Sequence, residues 1–365
     1  MSAFDLCGVA LQSPFIAASG PLSYNAAGML RLHRAGAGAV VTKTIRLEAC
    51  INPIPHMVRN SRDSLVNCEK WADLPPEAWI ASEIPQAHQA GVVVIASVGH
   101  TLPESSRLVE KVVAAGASMV ELVSYDEADL APMVADARRR VGCPILVKLS
   151  PNGRNLAEIA RRCVAAGADA VTACDSVGPV LRIDIRTGRP LLGGVGGAGW
   201  LSGSAIKPMI LQRVAELRQV LTCPIIGLGG VTDAADVLEM LMAGANFVGL
   251  CSALILRGPE YLGTLRQETA ASLEKLGYAD VAAVSGKAIP FLTATEQTGR
   301  IEFAYDAGRC TGCGQCVKVC CYQARTLTAG KEMSVNEREC RDCGLCASVC
   351  PTQALTVAGP ESHHV

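Results

Sequence analysis

Eight cysteines near the C-terminus stand at spacings that define a chemistry. One run reads Cys310-x2-Cys313-x2-Cys316-x3-Cys320, and a second reads Cys340-x2-Cys343-x2-Cys346-x3-Cys350, followed by Pro351. This is the spacing that wraps a cubane iron–sulfur cluster in thiolates. Structural zinc sites instead pair two C-x2-C units across a longer gap. In tandem runs of this kind the fourth cysteine of each run crosses to the other cluster. Cys310, Cys313, Cys316 and Cys350 are therefore assigned to one 4Fe-4S cluster, and Cys340, Cys343, Cys346 and Cys320 to the other. Such clusters move single electrons, so the residues before them must supply a partner for that exchange.

Candidates for that partner's site lie at the ends of apolar runs. Lys43 follows the run 39–42, and Lys148 ends the run 144–148. A lysine at the end of an otherwise apolar strand must meet an anion or an electron-rich ring. Gly229-Gly230 follows the run 224–228, and Cys251-Ser252 ends the run 246–251. Backbone N–H groups in such Gly/Ser-bearing turns suit a phosphate. A flavin mononucleotide supplies both phosphate and anionic ring. It exchanges two electrons with organic substrates and one at a time with clusters.

The elements that would position these residues follow a repeating order. Apolar runs at 15–18, 39–42, 92–98, 118–123, 144–148, 169–174, 224–228 and 246–251 read as eight strands. Alanine-, leucine- and arginine-rich segments of helical period separate them, at 102–115, 156–166, 206–220 and 234–243 among others. Four helix-to-strand turns share a small-residue signature, Gly-Ala at 36–37, 116–117, 167–168 and 244–245. Glycine there ends a helix in the left-handed conformation, and alanine lets the next strand pack closely. Eight βα units over about 260 residues predict an α/β fold, a (β/α)8 TIM barrel, with an open doubly wound sheet as the alternative. Two segments exceed an ordinary connection, 45–80 after strand two and 176–205 after strand six. In a barrel both leave the face where sites form. The predicted organisation is a barrel over 1–277, a linker over 278–304, a small ferredoxin-like domain with two clusters over 305–358, and a disordered tail over 359–365.

Composition narrows the class. The 365-residue chain has a formal net charge of −1, which argues for neither nucleic acid nor a membrane surface. No run of 18 apolar residues is free of charge, and Met1-Ser-Ala-Phe-Asp5 lacks the pattern of a secretory leader. Of 17 cysteines, eight form the two runs, Cys321 sits beside them, and the other eight are scattered, which is reduced, cytoplasmic usage. Gly194, Gly196 and Gly199 match G-x-G-x-x-G, but no βαβ unit surrounds them. They read as a flexible loop lying against the flavin, and no segment suggests a nicotinamide site. Electrons are expected to pass through the clusters to a partner, an FAD/NAD(P)H subunit or a ferredoxin.

The motifs together resemble the dihydroorotate dehydrogenase superfamily. They are most similar to those of the flavin- and cluster-bearing subunit of bacterial NAD-dependent dihydropyrimidine dehydrogenases. Those motifs are Ala18-Ser19-Gly20, Thr42-Lys43-Thr44, Asn52-Pro53-Ile54-Pro55, Val147-Lys148-Leu149-x-Pro151, Ser202-Gly203 with Ile206-Lys207-Pro208, glycines over 227–230, and the cysteine module. The resemblance implies FMN held by Ala18, Ser19, Gly20, Lys43, Thr44, Lys148, Gly203, Gly229, Gly230, Cys251 and Ser252. It implies substrate contact by Asn67, and a homo-oligomer.

One stretch departs from that pattern. The superfamily carries a cysteine or serine base after strand four, in an Asn-x-Ser-Cys-Pro-like setting. Here the stretch reads Val123-Ser124-Tyr125-Asp126. By register the base falls at Asp126, with Tyr125, His100 and Cys68 as further candidates on the same face. Strand six ends Thr172-Ala173-Cys174-Asp175, where relatives set polar residues against the substrate. Thr172 and Asp175 are the matching candidates, and Asp175 favours a cationic or N–H-rich ring. The leading expectation is hydride transfer between FMN and a C–C bond beside a carbonyl or imine of a small cyclic substrate. The alternatives are an electron-transfer subunit without substrate chemistry, and a true dihydropyrimidine or dihydroorotate enzyme with a substituted base.

Overall fold

The computed structural model describes residues 4–292, 296 and 298–358, and the chain divides into two compact units, Met1–Leu292 and Thr293–Val365. The tail expected at 359–365 lies outside the described residues.

The first unit is a closed barrel of eight parallel strands. They are β1 (Phe15–Ala17), β2 (Ala39–Val41), β3 (Val94–Gly99), β4 (Met119–Val123), β5 (Ile145–Leu149), β6 (Ala170–Ala173), β7 (Ile225–Leu228) and β8 (Phe247–Leu250). Each pairs with its neighbour in sequence, and β8 closes on β1 through Val248 opposite Phe15. All eight expected strands are present. Their residues are buried on both faces, which is why they read as continuous apolar runs rather than alternating ones.

Ile16, Val41, Ile95, Met119, Leu146, Ala170, Ile226 and Phe247 pack together inside the barrel with Leu6 and Leu11. The last two come from an N-terminal hairpin, Phe4–Leu6 paired with Val9–Leu11. Cys7, at its turn, reaches the carbonyl of Asp169 just before β6, so the hairpin closes the end opposite the mouth.

The glycine signature behaves as expected. Gly36, Gly116, Gly167 and Gly244 take φ of 110°, 113°, 112° and 110°. Each following alanine donates to a carbonyl five residues back, as Ala117 does to Val112 at 3.1 Å.

The long segments after β2 and β6 are not irregular loops. Strands Met57–Ser61 and Ser64–Asn67 come from the first, and Val177–Leu181 and Ala198–Gly203 from the second. They form one four-stranded antiparallel sheet, with Trp200 opposite Asn67 and Leu201 opposite Val66. The glycine-rich run expected as a flexible loop leads directly into the strand Ala198–Gly203.

The first unit also extends past the expected boundary at 277. Val284 is fully buried, and Gly286 and Ala288 donate to the carbonyls of Leu241 and Met242. Residues 278–292 thus pack on the barrel instead of linking. In the second unit Glu302–Tyr305 pairs with Leu355–Ala358, and Arg325–Leu327 with Met333–Val335. Short helices Gln315–Lys318 and Leu345–Ser348 carry the third cysteine of each run. Among the described residues no helix is long and apolar enough to cross a membrane.

Candidate active site

The C-terminal ends of the strands surround a cavity of about 300 Å3. Its walls include Ala18, Ser19 and Gly20 after β1, Lys43 and Thr44 after β2, and Lys148 on β5. They also include Gly203 from the mouth sheet, Gly229-Gly230 after β7, and Cys251-Ser252 after β8. Every residue expected to hold FMN lines this one space. The phosphate end is crowded. Gly229 and Gly230 take φ of 128° and 90°, and a Cβ on Gly230 would fall 2.5 Å from Lys207 Cα. Only glycine leaves backbone N–H groups accessible in such a turn. Nearby, Ser252 Oγ donates to Ser202 Oγ at 2.8 Å. The cavity therefore fits a flavin nucleotide, with Lys148 and Lys43 as its cationic groups. FMN bound there would supply two-electron exchange with a substrate and one-electron exchange with clusters.

Both lysines meet carboxylates of the chain itself. Lys148 Nζ lies 3.2 Å from Asp175 Oδ2. Burial pulls the Lys148 ammonium down, but Asp175 and Glu121 outweigh it, and the group is held well above the usual lysine value. Glu121 is 2% exposed inside the barrel, and burial pushes it up while Lys148 pulls it down. Lys43 Nζ lies 3.0 Å from Glu69 Oε2 and donates to the Lys70 carbonyl at 2.9 Å. Glu69 and Glu121 were not singled out from sequence. Glu121 had a signal, a lone charge in an apolar strand, while Glu69 lies in a segment without periodicity.

One wall of the cavity is aromatic. Tyr125 stands between Trp71, at 5.6 Å between centroids, and Trp200, at 6.2 Å and nearly parallel. Trp71 stacks on His100 at 4.7 Å, and the Arg46 guanidinium lies 4.4 Å over the Trp71 ring. Glu104 holds Arg46 there through hydrogen bonds. All 3 tryptophans of the chain, Trp71, Trp79 and Trp200, fall in the long mouth segments, a legible signal, and Trp71 and Trp200 reach the cavity. Tyr125 stands at the open mouth, 56% exposed, and its hydroxyl is pushed up to about 12 by partial desolvation and then by the Asp175 charge.

The structure separates the candidates for proton transfer. Tyr125 and Cys68 line the cavity, as do Asn67 and Asp175. Cys68 is 5% exposed and its thiol reaches the Pro55 carbonyl at 3.8 Å. Asp126, the position chosen by register, lies outside the lining. Its carboxylate caps the helix Glu127–Arg140 by accepting from Ala128 N at 3.0 Å. An aspartate one residue before a helix is drawn to the free N–H groups of its first turn. Thr172 also lies outside the cavity, because its hydroxyl donates to Glu121 Oε2 at 2.8 Å within the barrel. His100 stands beside Trp71 rather than in the lining, with its Nδ1 buried and without a hydrogen-bond partner.

In the second unit the cysteines form two groups. Cys310, Cys313, Cys316 and Cys350 line one small cavity, and Cys320, Cys340, Cys343 and Cys346 line another. These are the crossed sets. Backbone N–H groups of Gly312 and Ala324 donate to Cys310 Sγ and Cys320 Sγ, each at 3.3 Å. Four soft sulfur donors around each cavity, with N–H groups aimed at sulfur, fit iron–sulfur clusters. Among the described residues no three His, Cys, Asp or Glu side chains converge on a point that would ligate a single metal ion.

Comparison with known proteins agrees with this arrangement. A family model described as dihydroorotate dehydrogenase matches residues 121–273, and one described as a 4Fe-4S dicluster domain matches 309–354. The chain is 32% identical over 301 residues to the catalytic subunit of dihydroorotate dehydrogenase B (NAD(+)) from Methanothermobacter thermautotrophicus. That alignment spans 78% of this chain and 97% of the relative. The subunit of the same name from Methanocella arvoryzae is 36% identical over 261 residues, 68% of this chain and 85% of the relative. The one from Geotalea uraniireducens is 31% identical over 302 residues, 78% and 97%.

Proposed function

The chain belongs to the dihydroorotate dehydrogenase family, and from that premise we propose that it oxidises or reduces a C–C bond beside a carbonyl or imine of a small planar ring. It is an oxidoreductase acting on CH–CH bonds, a flavoprotein with an iron–sulfur domain. The observation that carries the finer reading is the composition of the cavity wall. Trp71, Tyr125 and Trp200 present flat faces that suit a ring. The cations among the described lining residues are Lys43, Lys148 and Lys70. The first two are matched by Glu69 and Asp175, and Lys70 is exposed. A ring carboxylate, such as that of dihydroorotate, would find no unpaired buried cation. A neutral or cationic ring rich in N–H groups would find Asn67 and an Asp175 carboxylate that shares its charge with Lys148 and accepts from Ser176 N. This favours a dihydropyrimidine-like or other N-heterocyclic substrate over dihydroorotate.

Tyr125 replaces the family's thiol or hydroxyl base in this reading. Its hydroxyl stays protonated at neutral pH, so it gives a proton to the reacting carbon or nitrogen in the reducing direction and is reprotonated from solvent before the next turnover. Asp175 orients substrate N–H groups, and Lys148 balances negative charge at the inner end of the cavity. The aromatic wall offers a flat surface to the ring face. The crossed cysteine sets support two 4Fe-4S clusters that relay electrons to a partner subunit or ferredoxin.

The test is anaerobic stopped-flow spectroscopy of the flavin in the loaded protein. Mixing with dihydrouracil, dihydrothymine, dihydroorotate and cationic dihydro-N-heterocycles should give bleaching with a carboxylate-free ring. Bleaching by dihydroorotate alone would refute the substrate reading, and none by any ring would favour a subunit that only transfers electrons.

A further inference from the structure

The two cysteine cavities differ in charge. Among the described residues no charged side chain lines the cavity of Cys310, Cys313, Cys316 and Cys350. The cavity of Cys320, Cys340, Cys343 and Cys346 is lined by Arg325 and Arg341. Arg341 is exposed, so water screens it. Arg325 is 4% exposed. Its guanidinium lies 4.5 Å over the Phe303 ring, and Nη1 donates to Met333 Sδ at 3.0 Å. Among the described residues no carboxylate pairs with it. Asp342, beside Cys340, is taken by Arg300 at 3.3 Å. A buried cation without a carboxylate is strongly unfavourable unless another anion meets it. A thiolate-ligated cluster is such an anion.

The internal repeat sharpens the contrast. Arg325 stands five residues after Cys320, and its counterpart five residues after Cys350 is Leu355. Leu355 is 2% exposed and lines the other cavity. One half of the repeat thus places a charge where the other places an alkyl group. A cluster gains negative charge on reduction, so a buried cation beside it stabilises the reduced form and raises its potential.

We propose that Arg325 orders the two clusters, making the one held by Cys320, Cys340, Cys343 and Cys346 the higher in potential and the first to be reduced. This rests on the two-cluster reading above. Met333, which Arg325 meets, lines the cavity of the other set, but the arginine itself lines the cavity of Cys320, Cys340, Cys343 and Cys346 and not that one, so the nearer cluster takes the larger effect.

The experiment is an anaerobic dithionite titration of the full-length loaded protein with redox mediators, followed by electron paramagnetic resonance, with iron and sulfide counted. The unmutated chain gives two separated steps. In Arg325→Leu the upper step falls by a factor of ten or more in the reduced-to-oxidised ratio at fixed potential, about 59 mV for one electron. The lower step moves less. Arg325→Lys keeps most of the separation, and Leu355→Arg raises the lower step and narrows the gap. Coincident steps in the unmutated chain would overturn the proposal, as would unmoved midpoints in an iron-replete Arg325→Leu protein. Should Arg325→Leu fail to load iron, an unmoved lower step in Leu355→Arg overturns it equally. Iron for only one cluster in the unmutated chain would instead remove the two-cluster reading, whichever midpoint moves.

Discussion

Tyr125 and Lys148 divide the chemistry at the cavity between a proton and a charge. General acid–base groups contribute roughly 10²- to 10⁴-fold to rate. Tyr125→Phe, which keeps the ring between Trp71 and Trp200, should lower turnover by about that range while leaving flavin content unchanged. The hydroxyl is pushed up to about 12, so its proton is present below that value and lost only as pH rises through it. Turnover in the reducing direction should therefore show no loss of the donor between pH ~6 and ~10, which a pH–rate profile checks. A fall with a midpoint near neutrality would point to another donor. Lys148→Ala would leave Glu121 and Asp175 without their shared cation. Breaking a buried pair costs about 3–5 kcal/mol. The variant should lose flavin on gel filtration and unfold earlier, with its iron content intact.

At the scale of elements, the sequence was most legible where one physical cause acts alone. Eight doubly buried strands leave eight apolar runs, and a helix ended by a left-handed residue leaves a glycine. Gly244 shows how firmly such a turn is set. A Cβ there would fall 2.4 Å from Arg218 Cγ, and the Arg218 guanidinium donates to the Gly244 carbonyl at 3.0 Å. Gly244→Ala should cost about 1–3 kcal/mol, read as a lower denaturant midpoint at unchanged slope. The mouth sheet was not legible, because its strands are short, partly polar and paired across more than a hundred residues. Neither segment carries a pattern that names its partner. The same blindness explains Asp126. Counting along the chain from β4 gives a register, but the start of the next helix recruits that carboxylate, and only the fold shows that Tyr125 lines the cavity mouth.

At the scale of the molecule, the division falls at Leu292 rather than at 277. The reason is local to the barrel. Val284 is buried, and two backbone hydrogen bonds tie 286 and 288 to the end of the helix Ala234–Met242. Burying a valine contributes about 1.5–3 kcal/mol and each hydrogen bond about 1 kcal/mol. A chain ended at Leu292 should melt above one ended at residue 277 in calorimetry, by an amount matching roughly 3–5 kcal/mol. The cluster unit was legible for the opposite reason to the mouth. Its ligands are sequence-local and their spacing is dictated by the inorganic group they wrap.

The antiparallel sheet over the mouth is built from two insertions that pair only with each other there, with Val66 against Leu201 and Ser64 against Gly203. Asn67 sits on one insertion and Trp200 on the other, directly opposite. Neither segment is then an independent site of variation. Transplanting one from a relative with a different substrate would strip its neighbour of a ladder of hydrogen bonds. Changes of substrate range in this architecture should travel as matched pairs of segments, with the barrel beneath left alone.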